Sequence, residues 1–484
     1  MTSRATAGWQ IAPLSGALGF AWAPGQVMAH AMGERHDLPV PLAYYLVAAG
    51  AVVALTFIIT ALAMRAVPSA VKIDRPEPAR PRPVNTGPLR YAVTATQLLA
   101  VSAVVLVILA GWFGHQHPAR NLAPTAVWIV WWVGLPMLAA VVGDLWGAIN
   151  PWRMIYCWTA RTSDPLWSYP AALGAWPACA VLLAFAWIEV VWPGDTSPAA
   201  LAWGVFAYGM LTWLAMRVFG PETWLRHGEA FTVICRTLAH FAPIQGEWQT
   251  TWQWSGARLL QDKRATPSMT AFVILMLATV LFDGLLGTRA WRAIEFGLYN
   301  LGLPWPAAAG VPGRTIGLLG AWLVLSLAYL AACWAMSRIG RTATASIVAR
   351  YAFSLVPIAA GYLIAHNLAF LINEIDALPG LLADPFGWRD AKPAADPTVG
   401  AAFAWYAAVG AIVIGHIGAV IVAHGVALGH EGKRGRAVRQ LIPMTVLMVA
   451  YTIVSLFVLA EPLVRFRAPD PTYSDLVIDP ALFG

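Results

Sequence analysis

Ten apolar runs of about twenty residues recur along this chain. They lie at roughly 42–64, 91–113, 123–142, 171–192, 199–219, 268–287, 315–336, 346–372, 401–428 and 440–460. A bilayer core about 30 Å thick needs about 20 apolar residues per helix. Lipid offers no partner to an open backbone amide or carbonyl, so each run must close its own hydrogen bonds as a helix. Apolar residues make up 59% of the sequence and charged ones 11%, which excludes a soluble core. The expected fold class is all-α, a polytopic transmembrane helix bundle of about ten spans.

The arginines orient it. If the start of the first helix lies outside, the loops 65–90, 143–170, 216–267, 337–350 and 429–439 lie inside and carry 21 Lys+Arg. The outer loops carry nine, and Arg4 is the remaining one. Acidic residues lean the other way, nine inside against 15 outside. Lys/Arg bias in short loops sets orientation, so both mature termini are expected on the periplasmic side of a bacterial cytoplasmic membrane. The net charge of +7 then reads as contact with an anionic lipid bilayer. No basic stripe with interleaved aromatics appears, so no nucleic acid partner is expected. Many of the 25 Trp sit near segment ends, among them Trp128, Trp131, Trp132, Trp152, Trp224, Trp291 and Trp305, and are expected in an interfacial belt.

Arg4 precedes a modestly apolar stretch, Trp9 to Ala23, broken by Pro13 and followed by Pro24. Val27-Met28-Ala29 before His30 suits a signal-peptidase site. Residues 1–29 are therefore expected to be a signal peptide, with an uncleaved interfacial segment as the alternative. Residues 30–484 are expected to form one integral-membrane domain. Cys157, Cys179, Cys235 and Cys333 form no CxxC pair, and none lies in an outer loop. The inner loop 66–90 is Pro/Arg-rich and reads as an extended linker. The inner segment 220–267 mixes Trp224, Phe231 and Leu238 with Arg226, Glu229 and Arg236, which suits a helix lying in the interface. The outer loop 373–400 is acidic and Pro/Gly-rich, a candidate lid or cap. No nucleotide loop, nucleophile elbow or HExxH motif is present.

Ionisable groups in or near the spans cost about 2.5–3.5 kcal/mol each and usually mark function. Topology places Glu189, Asp283, His366, Asn367 and Glu374 toward the outer face, with His416 near mid-membrane. His30, His36, His115 and His117 lie outside, and Asp144 and His424 toward the inner face. Imidazole and carboxylate are ligands for zinc or copper. His366 and Glu374 stand eight apart, about 12 Å along a helix, so a metal would need ligands from several helices. The candidate catalytic residues are Asp283, His366 and Glu374, and the candidate ligands of a divalent metal are His30, His36, Glu189, His366 and His416. Plainer readings stand beside these. Asp283-Gly284 could cap a helix, a lone His could be a packing residue, and Asp144 with Asn150–Arg153 could be an inner-end turn with an ion pair.

Several short segments, in order, carry a resemblance: His30–Pro41 (HAMGERHDLPVP), Asn121–Pro124 (NLAP), Gly143–Arg153 (GDLWGAINPWR), Glu189, Gly228–Phe231 (GEAF), Phe282–Gly284 (FDG), Tyr362–Asn367 (YLIAHN) and His416–Leu428 (HIGAVIVAHGVAL). With these the chain resembles bacterial polytopic membrane proteins of the fenitrothion hydrolase family. The resemblance implies hydrolysis of an organophosphorus triester, a small apolar substrate that partitions into membrane. It assigns no catalytic residue. A divalent metal that activates water and polarises the phosphoryl group would suit that chemistry. Two other classes stay open: a proton- or ion-coupled transporter, and a copper-handling protein with His30, His36, His115 or His117 at its site.

Overall fold

The computed structural model describes residues 36–64, 88–160, 164–242, 244–245, 251–252, 256–260, 264–389, 397–430 and 434–465. The proposed signal segment, His30, most of the 65–90 linker and the tail after Arg465 lie outside the described residues. The rest is an all-α polytopic bundle. Its crossings are α1 Leu42–Ala63, α2 Pro88–Phe113, α3 Leu122–Val141, α4 Trp176–Val190, α5 Pro198–Phe219, α6 Pro267–Leu286, α7 Val311–Gly340, α8 Thr344–Ile375, α9 Ala401–His430 and α10 Arg434–Leu463.

Among the described residues nine of these are long and apolar enough to span by themselves, and α4 is the short one at 15 residues. It reaches only about 22 Å. Its course nevertheless matches that of α6. The Ala175 amide donates to Ser268 Oγ at 2.8 Å at one end, and Val190 and Val191 pack with Phe282 and Leu286 at the other. The two chain ends supply a second argument for ten crossings. β1 (His36–Asp37) pairs in parallel with β4 (Val464–Arg465), so the start of α1 and the end of α10 share one face. Only an even number of crossings allows that.

Burial sorts the helices. α6, α8 and α9 are mostly buried, whereas α1, α2 and α7 present Leu55, Ile58, Leu98, Leu99, Leu323 and Val324 outward, as lipid-facing helices must. The central contact is α8 against α9, and it depends on glycine. A Cβ on Gly361 would stand 2.5 Å from the Ala411 carbonyl oxygen, and one on Gly415 2.6 Å from that of Pro357. Small residues let membrane helices approach to backbone contact. This contact also fixes the α8–α9 register.

Two local features differ from the sequence expectations. The interfacial belt does not hold Trp132, Trp152, Trp224 or Trp291, which are all buried, while Trp305 is 48% exposed. The helix Ala230–Ala239, expected in the interface, is buried at nine of its ten positions and packs against α3, α4 and α8. Its mixed composition reflects a polar cap at one end rather than a wet face. Conversely, Arg289–Asn300, beyond the end of α6, is strongly two-faced: Trp291 is buried and Phe296 and Tyr299 are exposed. In its described part the loop beyond α8 packs back onto the bundle as a cap, and Asn373 also pairs with the backbone of Val399. Arg120 donates to the carbonyls of Gly387 and Arg389, and the Leu122 amide to that of Pro385.

Candidate functional site

The sharpest polar contact between spans lies near the face that carries β1. His366 Nε2 and Asp283 Oδ2 are 2.7 Å apart, joining α8 to α6. Their side chains are 9% and 30% exposed. Asp283 stands one turn before the end of α6, and Gly284 beside it makes the close approach possible. A Cβ there would meet Tyr362 Oη at 2.9 Å and the His366 ring at 3.6 Å. Asp283 therefore bridges two helices and is not a simple helix cap.

Glu189, at the end of α4, lies within electrostatic reach of Asp283 and accepts a hydrogen bond from the Trp132 indole. Trp132 belongs to a π-helical stretch of α3, Thr125–Gly134, whose closing bond runs from the Leu135 amide to the Val130 carbonyl. π turns concentrate at functional sites. This one aims Trp128 at the Asp195 carbonyl, Trp132 at Glu189, and Trp131 onto Phe231, with ring centroids 4.2 Å apart. Asn121 starts α3 by accepting from the Ala123 amide while donating to the carbonyls of Ala110 and His115.

The other sequence candidates are not gathered here. Glu374 is exposed on the same unbroken helix as His366, eight residues on, about 12 Å away. The helix neither ends nor unwinds between them, so the two cannot share a ligand. His416 is buried on α9. The Gly361–Gly415 register sets it about 9 Å deeper than His366. Its Nδ1–H donates to the Ile412 carbonyl at 2.8 Å, and its ring lies 5.8 Å from that of Tyr451. Its Nε2 has no partner among the described residues. His36 stacks edge-on against Tyr406, and Asn367 only back-bonds to Leu363. His115 accepts from the His117 amide at Nδ1 and contacts Arg120 through Nε2, so both ring nitrogens are occupied.

Among the described residues no three His, Cys, Asp or Glu side chains gather as a metal-ligand set. Glu189, Asp283 and His366 have the right donor types, but only two of them meet.

A carboxylate that sequence reasoning left among the interfacial residues has the densest polar shell. Glu229 is 1% exposed and caps Ala230–Ala239. It accepts from the amides of Phe231 and Thr232 at 3.1 and 2.7 Å, from the Trp146 indole at 3.3 Å, and from the hydroxyls of Tyr208 and Thr232. Its place just before an apolar run was the available sign of a cap, although Glu is not among the usual capping residues. Nearby, Asp144 caps Leu145–Ile149, Asn150 caps Pro151–Thr159, and Arg153 pairs with Glu222 at 2.6 Å. The turn is the one expected of that motif, but the ion pair reaches Glu222 outside it and Asp144 accepts from the Gly147 amide instead.

Asp195, in the turn between α4 and α5, flanks Glu189. Burial pushes its carboxyl up to about 6, opposed by the amides of Thr196 and Asp195 and by the charge of Arg314. The folded value lies above the ordinary one of about 3.9. The associated stability is complete below about pH 4 and is lost as pH rises through about 6. Asp195→Asn should therefore melt higher relative to wild type at pH 8 than at pH 5. An unchanged gap between the two pH values would refute this.

No protein-family model, curated protein or solved structure matches the chain.

Proposed function

We propose that this membrane protein hydrolyses a neutral, apolar ester dissolved in the bilayer, of the organophosphorus triester class, by acid–base catalysis at Asp283 and His366. The observation that carries this reading is the 2.7 Å imidazole–carboxylate contact between two spans, close to one membrane face. Such a pair can take a proton from water. Water oxygen attacks phosphorus, the pair receives the proton, and the phosphorus–aryloxy bond breaks to release a nitrophenolate and a dialkyl thiophosphate. Glu189, held by Trp132, adds a second carboxylate within electrostatic reach of the pair. A location at the membrane edge suits a lipid-soluble substrate that must meet water. The ordered resemblance to fenitrothion hydrolase proteins supports this substrate class.

The test is nitrophenol release from fenitrothion by the purified full-length protein in liposomes, with and without a chelator. Absence of turnover in either condition would reject the reading. A second reading, proton-coupled transport, is favoured by His416, buried near mid-depth. Intramembrane histidines and carboxylates mark proton relays. Substrate-dependent proton movement into sealed vesicles, without hydrolysis, would select it.

Both readings place the Asp283–His366 face on the periplasmic side, because the opposite loops carry 21 of the 31 Lys+Arg. A reporter fused after Gly484 should be active only if it works in the periplasm. Cytoplasmic reporter activity would invert the assignment.

A further inference from the structure

At the face opposite the Asp283–His366 pair, α7 ends and α8 begins around a cavity of about 430 Å³. That is within the range of small-molecule sites, about 300–1,000 Å³. Its lining includes Trp334, Ser337, Arg338, Arg341, Thr342 and Thr344. The chemistry of this wall is cationic and hydrogen-bonding. Arg338 and Arg341 contribute two guanidinium groups, and among the described residues neither has a carboxylate partner. The Arg338 guanidinium lies 5.3 Å from the centre of the Trp334 ring, which holds it at the rim. Ser337 and Thr344 are linked through their hydroxyls at 2.9 Å, and Thr342 Oγ1 accepts from Gln440 Nε2.

The first turn of α8 adds further donors. Its cap position is Ala343, which has no side-chain acceptor for the opening amides. A helix start with uncapped N–H groups beside two guanidinium groups is a favourable setting for a phosphate oxygen. Trp334, 53% exposed, faces the depth where indoles meet headgroups. The cavity thus has an exposed cationic wall beside an aromatic edge.

We propose that this cavity binds a phosphate group, and that its source is the headgroup of an anionic phospholipid. Arg338 and Arg341 hold the phosphate oxygens, the start of α8 and Thr344 complete the contact, and Trp334 borders the glycerol and upper acyl chain. Basic pockets between membrane helices recognise such headgroups. The site is separate from the Asp283–His366 pair, so it stands whichever reaction that pair performs.

The test uses the full-length protein, stripped of lipid in nonionic detergent and titrated with phosphatidylglycerol, phosphatidylcholine or inorganic phosphate. Bound species are read by native mass spectrometry and, for phosphate, by equilibrium dialysis. Phosphatidylglycerol should bind at least about tenfold more tightly than phosphatidylcholine, and Arg338→Gln/Arg341→Gln should lose that preference. Millimolar inorganic phosphate that binds wild type but not the variant, without any phosphatidylglycerol preference, would keep the phosphate site but assign it to a free anion. Equal phosphatidylglycerol binding by wild type and variant, with no phosphate bound, would overturn the proposal. If the double variant unfolds, Arg341→Gln alone should still weaken phosphatidylglycerol binding several-fold, and no weakening there would be equally fatal.

Discussion

Replacing His366 with alanine lowers hydrolysis of an aryl phosphotriester by at least about 100-fold while the protein remains folded. General acid–base groups contribute roughly 10²–10⁴ in rate, and alanine removes both the imidazole and its 2.7 Å contact with Asp283. Asp283→Asn keeps the size of the side chain and leaves His366 with a neutral partner, so its loss should be smaller. Rates must be read beside melting curves, because a half-buried contact between α6 and α8 also contributes to packing. A well-folded His366→Ala protein with wild-type turnover would exclude the pair from the chemistry. If wild type moves protons without hydrolysis and the variant does not, the same two residues belong to the transport reading.

Glu229→Ala should be the most destabilising single change in the bundle. The substitution leaves two amides, an indole and two hydroxyls without their acceptor, in a site that is 1% exposed. Each buried donor left unmatched costs about 1–3 kcal/mol. Even partial rearrangement leaves at least about 4 kcal/mol, a large share of the stability of most proteins. Glu229→Gln retains one acceptor oxygen and should lie between alanine and wild type. Recovery of monodisperse protein and its melting temperature measure both. Wild-type behaviour of the alanine variant would show that the shell is dispensable.

The two sites were unequally legible in the sequence. Asp283 and His366 stood out because charged or ionisable groups in apolar runs are costly, and topology brought both to one face. That they touch depends on Gly284 and on the closeness of α6 and α8, which no spacing within either helix records. Glu374 satisfied the same criteria of type and depth, yet helix geometry keeps it two turns beyond His366. His416 falls midway along α9, and that position separates it from the pair.

Glu229 was harder. Its neighbours suggested a wet interfacial helix, because local composition does not reveal that Ala230–Ala239 inserts among α3, α4 and α8. Trp128, Trp131 and Trp132 were similarly absorbed into an aromatic belt. Their i, i+3, i+4 spacing places them on one helix face, which was the available sign of a shared inward target. The fold itself was the most legible layer, since twenty-residue apolar runs leave few alternatives. The fourth crossing was the exception. Its apolar run is long enough, but Pro170 and Gly174 hold its first residues outside the helix.

The wide turn through Thr125–Gly134 has a genetic consequence as well as a geometric one. A π turn is an α-helix carrying a residue in excess, so its natural perturbation is a deletion. Removing one residue there would let the ladder relax to ordinary i→i+4 bonds with the flanking halves of α3 kept near their register, and would re-aim the indoles within the stretch. Trp128 and Trp132 would then leave Asp195 and Glu189, although every side chain type at the site was kept. Chain length in this stretch, more than residue identity, sets what the indoles can reach.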